Sequence, residues 1–259
     1  MTDRHSAFFR FYEELNDFLP KDRRKQTLLY QFRGRPAIKD PIEALGVPHT
    51  EVDLITVNGV SVGFDYRLRS GDRVAVYPTF ESFDITPLVK LRDRPLRRTA
   101  FVADVNLGKL ARRLRMLGFD VLYDHRYQDG EIVAIAAAER RIVLTRDRRL
   151  LFHRRLSHGL WIRATEPEQQ VREVLDRCDL WRQIQALRRC LVCNGVLQPV
   201  PKAQVLDRLE PKTREYYQEF FRCPGCERIY WEGSHVADMR SRYLAPALAP
   251  GSGPESDRG

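Results

Sequence analysis

Four of the five cysteines stand as two Cys-x-x-Cys pairs, Cys190-Leu-Val-Cys193 and Cys223-Pro-Gly-Cys226. Each pair makes a tight turn that presents two thiolates to one ion. Two such turns brought together give a closed tetrahedral zinc site of four thiolates, structural because no coordination position is left open. The 29 residues between Cys193 and Cys223 exceed the ~15–20 of a compact ribbon. The excess is expected to hold a helix near 212–221, where Tyr216, Tyr217, Phe220 and Phe221 gather as local core. Cys178, outside both pairs, reads as a buried small residue.

A second set of candidates is acidic. Asp104 follows an apolar run over 100–103, and Asp147 follows another over 142–145 after one arginine. Asp129 and Glu131 open a helical stretch. In open parallel sheets ligands sit at the carboxyl ends of the strands. Carboxylates converging there repel each other unless a cation lies between them, and Mg²⁺ or Mn²⁺ with its waters is the natural occupant. Such an ion activates water and stabilises the leaving oxygen of a phosphodiester. Each acid also has a local reading as a helix cap, a turn cap or a first-turn residue. Asp120 and Asp124 read as turn acids and stay outside the set.

The charge distribution points to a polyanion. The chain of 259 residues carries a net charge of +9, and 37 of its 44 basic residues are Arg. Residues 1–90 hold 13 basic and 13 acidic side chains, and residues 164–259 hold 14 of each. Residues 91–163 hold 17 basic and 8 acidic, so the whole excess lies in the segment that carries the acids. Arg forks bidentately onto phosphates and stacks on bases. Lys109, Arg112 and Arg113 share one face of the helix after Asp104, and Arg146, Arg148 and Arg149 flank Asp147. Both groups are candidate contacts to the phosphates of that polyanion. His235 is a further candidate contact to the polyanion or to the acidic site.

The elements that must position these residues fall into three blocks. Over residues 6–80, an alternating run (Ala7, Phe9, Phe11) precedes a helical stretch over 12–19 closed by Pro20. A helix turn over 42–46 and β-type runs over 54–59 and 72–77 follow. This is an α+β unit of mostly antiparallel strands. Over 99–178, strands at 100–103, 121–123, 142–145 and 160–163 alternate with helices at 106–117, 131–139 and 168–177, which predicts a parallel sheet with helices on its faces. In the first of those helices Leu107, Leu110, Ala111, Leu114 and Leu117 form the buried stripe. The cysteine module comes third, before a Pro/Gly/Ser-rich tail expected to be disordered.

The string Asp104-Val-Asn-Leu-Gly-Lys-Leu-Ala-Arg-Arg-Leu-Arg115, then Leu117-Gly-Phe-Asp120, Asp129-Gly-Glu131 and Ile142-Val-Leu-Thr-Arg-Asp147, resembles the PIN-like RNase domain named after the Mut-seven C-terminus. The two cysteine pairs fit the zinc ribbon that usually follows it. The resemblance spans about 99–243 and implies a metal-dependent ribonuclease, with Asp104, Asp129 (or Glu131) and Asp147 at the acidic motif positions. Gly46-Val-Pro-His-Thr-Glu-Val-Asp53, Val57-Asn-Gly59 and Ser70-Gly-Asp-Arg-Val-Ala-Val-Tyr-Pro78 resemble the ubiquitin-like sulfur-carrier fold. Such carriers act through a free C-terminal Gly-Gly. Here the chain runs on through Thr79-Phe-Glu-Ser82, which leaves a binding or positioning role.

The expected architecture is an α+β ubiquitin-like β-grasp domain (1–85), a linker (86–98), an α/β parallel-sheet PIN-like nuclease domain (99–185), a zinc ribbon (186–244) and a tail (245–259). The expected activity is a divalent-metal-dependent endoribonuclease with catalytic Mg or Mn and structural Zn. RNA, free or on the ribosome, is the expected partner, and the ubiquitin-like domain offers a surface for a protein. No apolar run approaches the ~18 residues that span a bilayer, and the N-terminus shows no secretory signal, so the expected compartment is the reducing cytoplasm. The alternative is a non-catalytic RNA- or ribosome-binding protein that uses the basic surface and the ribbon. A DNA nuclease or toxin-like PIN protein is a third reading.

Overall fold

The computed structural model describes residues 4–78 and 99–233, with Asp238, Arg242 and Tyr243. The expected linker over 86–98, the tail over 245–259 and His235 lie outside the described residues. The chain divides into two compact units, residues 1–107 with 123–165, and residues 108–122 with 166–259.

The first unit opens on β1 (His5–Phe11), β2 (Thr27–Phe32), α1 (Lys39–Ala44), β3 (Val52–Val57), β4 (Val60–Val62) and β5 (Arg73–Pro78), with sheet order β2-β1-β5-β3-β4. Only β1 and β5 pair in parallel; the remaining pairs are antiparallel. The alternation in β1 turns Ala7, Phe9 and Phe11 into the core and leaves Phe8 outside, as the period of two requires. Asn58 and Gly59 take φ of 51° and 86° between β3 and β4. A two-residue turn with both φ positive matches the twist of a hairpin, which is what an Asn-Gly pair favours. The helical stretch expected over 12–19 is a 3₁₀ helix, Glu13–Phe18.

The middle of the chain runs β6 (Ala100–Ala103), α2 (Gly108–Met116), β7 (Asp120–Leu122), α3 (Asp129–Glu139), β8 (Ile142–Thr145), β9 (Gly159–Trp161) and α4 (Pro167–Arg177). Within the first unit β6 pairs with β8 and β8 with β9, all parallel. Every residue of β6 and β8 is buried, the signature of strands covered on both faces. Leu151 and Trp161, beyond β8, join the core formed by Phe9, Phe18, Ile42 and Ile55. The apolar core of the five-stranded sheet therefore extends to the β8–β9 connection and to Trp161 of β9.

In the second unit α2 packs on α4, and Leu110, Ala111 and Leu114 of the one and Val171, Val174 and Leu175 of the other are fully buried. The turn after α2 needs Gly118: its φ is +98°, and a Cβ there would lie 2.0 Å from the Gln185 carbonyl. The unit ends in β10 (Gln198–Val200), α5 (Pro211–Tyr216), β11 (Phe220–Arg222) and β12 (Ile229–Trp231), a three-stranded antiparallel sheet in the order β10-β11-β12. The helix expected over 212–221 is thus shorter, and Phe220 and Phe221 are strand residues. Phe220 is buried against Val200, Val205 and Leu209, whereas Tyr216 is 69% exposed. The aromatic cluster is only partly core.

Candidate carboxylate site and four-cysteine centre

Asp104 sits one residue past β6. Its amide donates to the Leu144 carbonyl at 2.9 Å, extending the parallel ladder, and its carbonyl accepts from the Leu107 amide and starts a 3₁₀ turn. The side chain is 5% exposed, and its Oδ2 accepts from the Thr145 hydroxyl at 2.7 Å. Thr145 is fully buried at the end of β8. The same hydroxyl oxygen accepts from the Asp147 amide at 2.9 Å. Asp147 is exposed, and its Oδ1 accepts from the Arg149 amide at 2.8 Å, closing a short turn. One threonine thus joins the buried Asp104 carboxylate to the backbone amide of Asp147, whose own carboxylate is exposed, at the carboxyl ends of neighbouring parallel strands.

Glu131 and Asp129 are both exposed, in the first turn of α3. The residue that caps α3 is Gln128, and Asp129 is already inside the helix. Glu131 Oε2 accepts from the Gln128 amide at 2.8 Å, the reciprocal half of a capping box. Among the described residues no hydrogen bond engages the Asp129 side chain. Nor, among them, are Asp104, Asp129, Glu131 and Asp147 gathered as the four cysteines are.

The basic candidates divide by what they touch. Lys109 and Arg112 are exposed and make no ion pair among the described residues, while Arg113 faces Glu168 at 3.5 Å. Arg146 and Arg149 are exposed beside Asp147. Arg148 turns the other way. It donates to the Phe18 carbonyl at 2.6 Å and lies 5.0 Å from the ring centres of both Phe18 and Trp161. Three more contacts join the same two sheets. His49 Nε2 reaches the Leu156 carbonyl at 2.9 Å, Thr50 donates to the Leu151 carbonyl at 3.0 Å, and the Trp161 amide donates to Glu51 Oε1 at 2.6 Å. Glu51 has no exposed surface. None of these contacts has a local sequence signature.

The four cysteine sulfurs all lie within 4.8 Å of one another, a set that could hold one metal ion. The two knuckles share one backbone. Asn194 (φ 65°) donates its amide to the Cys190 carbonyl, and Glu227 (φ 59°) donates to the Cys223 carbonyl. Gly195 follows the first knuckle, where a Cβ would stand 3.0 Å from Cys223 Sγ and 3.5 Å from Cys193 Sγ. Burial pushes the thiols of Cys190, Cys193 and Cys226 up. At Cys190 the amides of Cys193 and Val192 and the Tyr230 hydroxyl outweigh it and hold the group down at about 6. Cys193 is pushed up to about 12 by burial and by the neighbouring sulfurs.

Asp120 is not a turn acid. It begins β7, is 7% exposed, and takes Arg189 Nη2 at 3.0 Å and Asn194 Nδ2 at 2.8 Å. Asn194 Oδ1 in turn accepts from the Val121 amide at 3.1 Å. Arg115 donates to the carbonyls of Val121, Leu191 and Val192. The first knuckle is therefore bound to β7 and α2 by a buried polar network. Asp124 does behave as a turn acid. Its carboxylate takes the Arg126 amide at 2.9 Å and the Arg126 guanidinium, which holds it well below the usual carboxylate range.

Parallel strands with carboxylates at their ends are thus followed in the chain by a four-cysteine module that could hold a metal ion. The chain matches the Mut7-C RNAse domain over residues 99–243 and the Mut7-C ubiquitin model over residues 4–84. The first match covers more than half of the chain, and the protein belongs to the Mut7-C RNAse domain family. No curated protein and no solved structure matches it. Among the described residues no helix is long and apolar enough to cross a membrane.

Proposed function

We propose that this protein is a divalent-metal-dependent endoribonuclease whose site is built on Asp104 and Asp147, with Asp129 as the third acid. The observation that carries this reading is the Asp104–Thr145–Asp147 chain of hydrogen bonds at the carboxyl ends of β6 and β8, in a chain of an RNase-domain family. Mg²⁺ needs only one or two carboxylates, its waters and substrate phosphate oxygens, and Asp104 and Asp147 would supply such carboxylates at the ends of neighbouring strands. Bound there, the ion would supply an activated water and charge stabilisation for the leaving oxygen.

The protein's own contribution is positioning. Thr145 holds the buried Asp104 carboxylate in one orientation and fixes the start of the turn that carries the exposed Asp147. Arg146 and Arg149 would contact the phosphates beside that turn, and Lys109, Arg112 and Arg113 would contact others. Arg148, engaged with Phe18 and Trp161, serves as an anchor. The ubiquitin-like domain braces the β8–β9 connection, and its outer surface is the place for a protein partner. The four cysteines would hold structural Zn²⁺: the donor set is all thiolate, with no open position. Such a set calls for a reducing compartment, the cytoplasm.

The second reading, a non-catalytic RNA- or ribosome-binding protein, draws on the engagement of Glu131 in the capping box and on the four acids not being gathered among the described residues. The two separate on a direct assay. Zinc-loaded protein is incubated with internally labelled single-stranded RNA, with and without Mg²⁺ or Mn²⁺. The nuclease reading expects internal fragments only with the added metal, from RNA and not from DNA of the same sequence. A gel shift with intact RNA supports the binder.

A further inference from the structure

An open hollow of about 530 Å³ lies in the second unit, walled by Tyr216, Tyr217, Tyr230 and Trp231 with Met116 and Leu191. Its size is ordinary for a small-molecule site, and its walls are unusually aromatic. Tyr217 and Trp231 stand with ring centres 6.3 Å apart, and Tyr216 is largely exposed at the end of α5. Tyr230 is pinned from behind, since its hydroxyl accepts from the Leu191 amide at 3.2 Å and lies 3.1 Å from Cys190 Sγ. One wall is thereby fixed to the first cysteine knuckle.

Cations surround the hollow. Lys212 lines it directly. A second hollow shares Leu191, Ile229, Tyr230 and Trp231 with the first and adds Arg112, Arg208 and Arg228. No carboxylate lines either hollow among the described residues. Lys212, Arg112 and Arg228 are exposed, and no ion pair or side-chain hydrogen bond engages them among those residues. Three unneutralised cations beside a cluster of tilted aromatic rings are poorly explained by a core, and equally poorly by the docking of an apolar peptide. Aromatic faces flanked by a basic groove are the composition of a single-stranded nucleic-acid site, where every base offers a π-face and every link a phosphate.

We infer that this hollow binds one unpaired nucleobase of single-stranded RNA between Tyr216 and Trp231, with the flanking phosphates on Lys212, Arg112 and Arg228. RNA as the ligand class rests on the proposed function; the place and mode of binding do not.

The test uses the full chain carrying Asp104→Asn, so that RNA stays intact, titrated with a six-nucleotide single-stranded RNA in zinc-containing buffer. Binding should quench tryptophan emission, and Trp231→Phe should remove that quench. Tyr216→Ala, at a solvent-exposed position, should weaken binding about tenfold, in the range of one lost base stack. Arg228→Gln should flatten the salt dependence by about 0.7 of a logarithmic unit. A Tyr216→Ala protein that binds with the parent affinity, or a quench that survives Trp231→Phe, overturns the base site, as does a failure to bind at all. Cleavage by the parent chain, measured alongside, keeps the two proposals apart. Cleavage with an unaffected Tyr216→Ala affinity sinks only the base site, and loss of binding in Tyr216→Ala without any parental cleavage sinks only the nuclease.

Discussion

The Thr145 hydroxyl donates to Asp104 Oδ2 at 2.7 Å while accepting from the Asp147 amide at 2.9 Å. A residue with no acidic chemistry of its own thus sets the orientation of one candidate ligand and the entry of the chain into the other. Groups that orient metal ligands typically matter by 10–100-fold. Thr145→Val keeps the shape and removes the hydroxyl. It should lower the cleavage rate by about that factor, with Thr145→Ser recovering most of it. A Val variant of parental rate, measured on the same labelled RNA, would show that the hydroxyl is only structural.

Asp120 and Arg189 form an ion pair whose side chains are 7% and 8% exposed. Removing one partner of such a pair leaves a buried charge uncompensated, at about 3–5 kcal/mol. Asp120→Ala should therefore lower the unfolding free energy of the second unit by an amount in that range, read from a denaturant melt. A loss below about 1 kcal/mol, the scale of exposed pairs, would contradict the role given to this network.

Arg148 and Arg112 are assigned opposite duties, and salt dependence tells them apart. Replacing Arg112 and Arg113 with Gln should flatten the slope of single-stranded RNA affinity against salt by about 1.4, or 0.7 per lost phosphate contact. Arg148→Ala should leave the slope alone. It should instead cost about 2 kcal/mol of stability, because a charged donor to a backbone carbonyl and two ring contacts are lost. The reverse pattern would make Arg148 the RNA contact and Arg112 a solvated surface residue.

One zinc ion per chain should co-purify, and Cys223→Ser should release it. Because Tyr230 leans on Cys190, the same variant should loosen the aromatic hollow and shift tryptophan emission. Acidification toward about pH 5 should also release the ion, since protons compete for the thiolates. Metal analysis that finds no zinc in freshly purified protein would refute the assignment.

What could be read in the sequence was local. The alternation of Ala7, Phe9 and Phe11, the Asn58-Gly59 turn and the paired cysteines carry their structure within a few residues. β2 (Thr27–Phe32) offered no such signal, because on the sheet edge its residues are mostly half-buried or exposed. Asp120 was illegible for a different reason. Its partners Arg189 and Asn194 are 69 and 74 positions away, and nothing around Asp120 itself distinguishes a strand acid in a buried pair from a turn acid. Thr145 likewise gains its meaning only when β6 and β8 align. Glu51 and Arg148 gain theirs only from the shared core of the first unit.

The central claim is that Asp104 holds the cation of a nuclease. It is tested most directly by the Mg²⁺- or Mn²⁺-dependent cleavage rate of labelled single-stranded RNA by purified protein and by its Asp104→Asn variant. Asn keeps the shape of the side chain and can still accept from Thr145, but it lacks the charge that retains a divalent ion. Metal-dependent internal cleavage is expected from the parent chain. None above background is expected from the variant, at an unchanged melting profile and with one zinc retained per chain. Equal cleavage by the two proteins, or none by the parent with either metal, would contradict it.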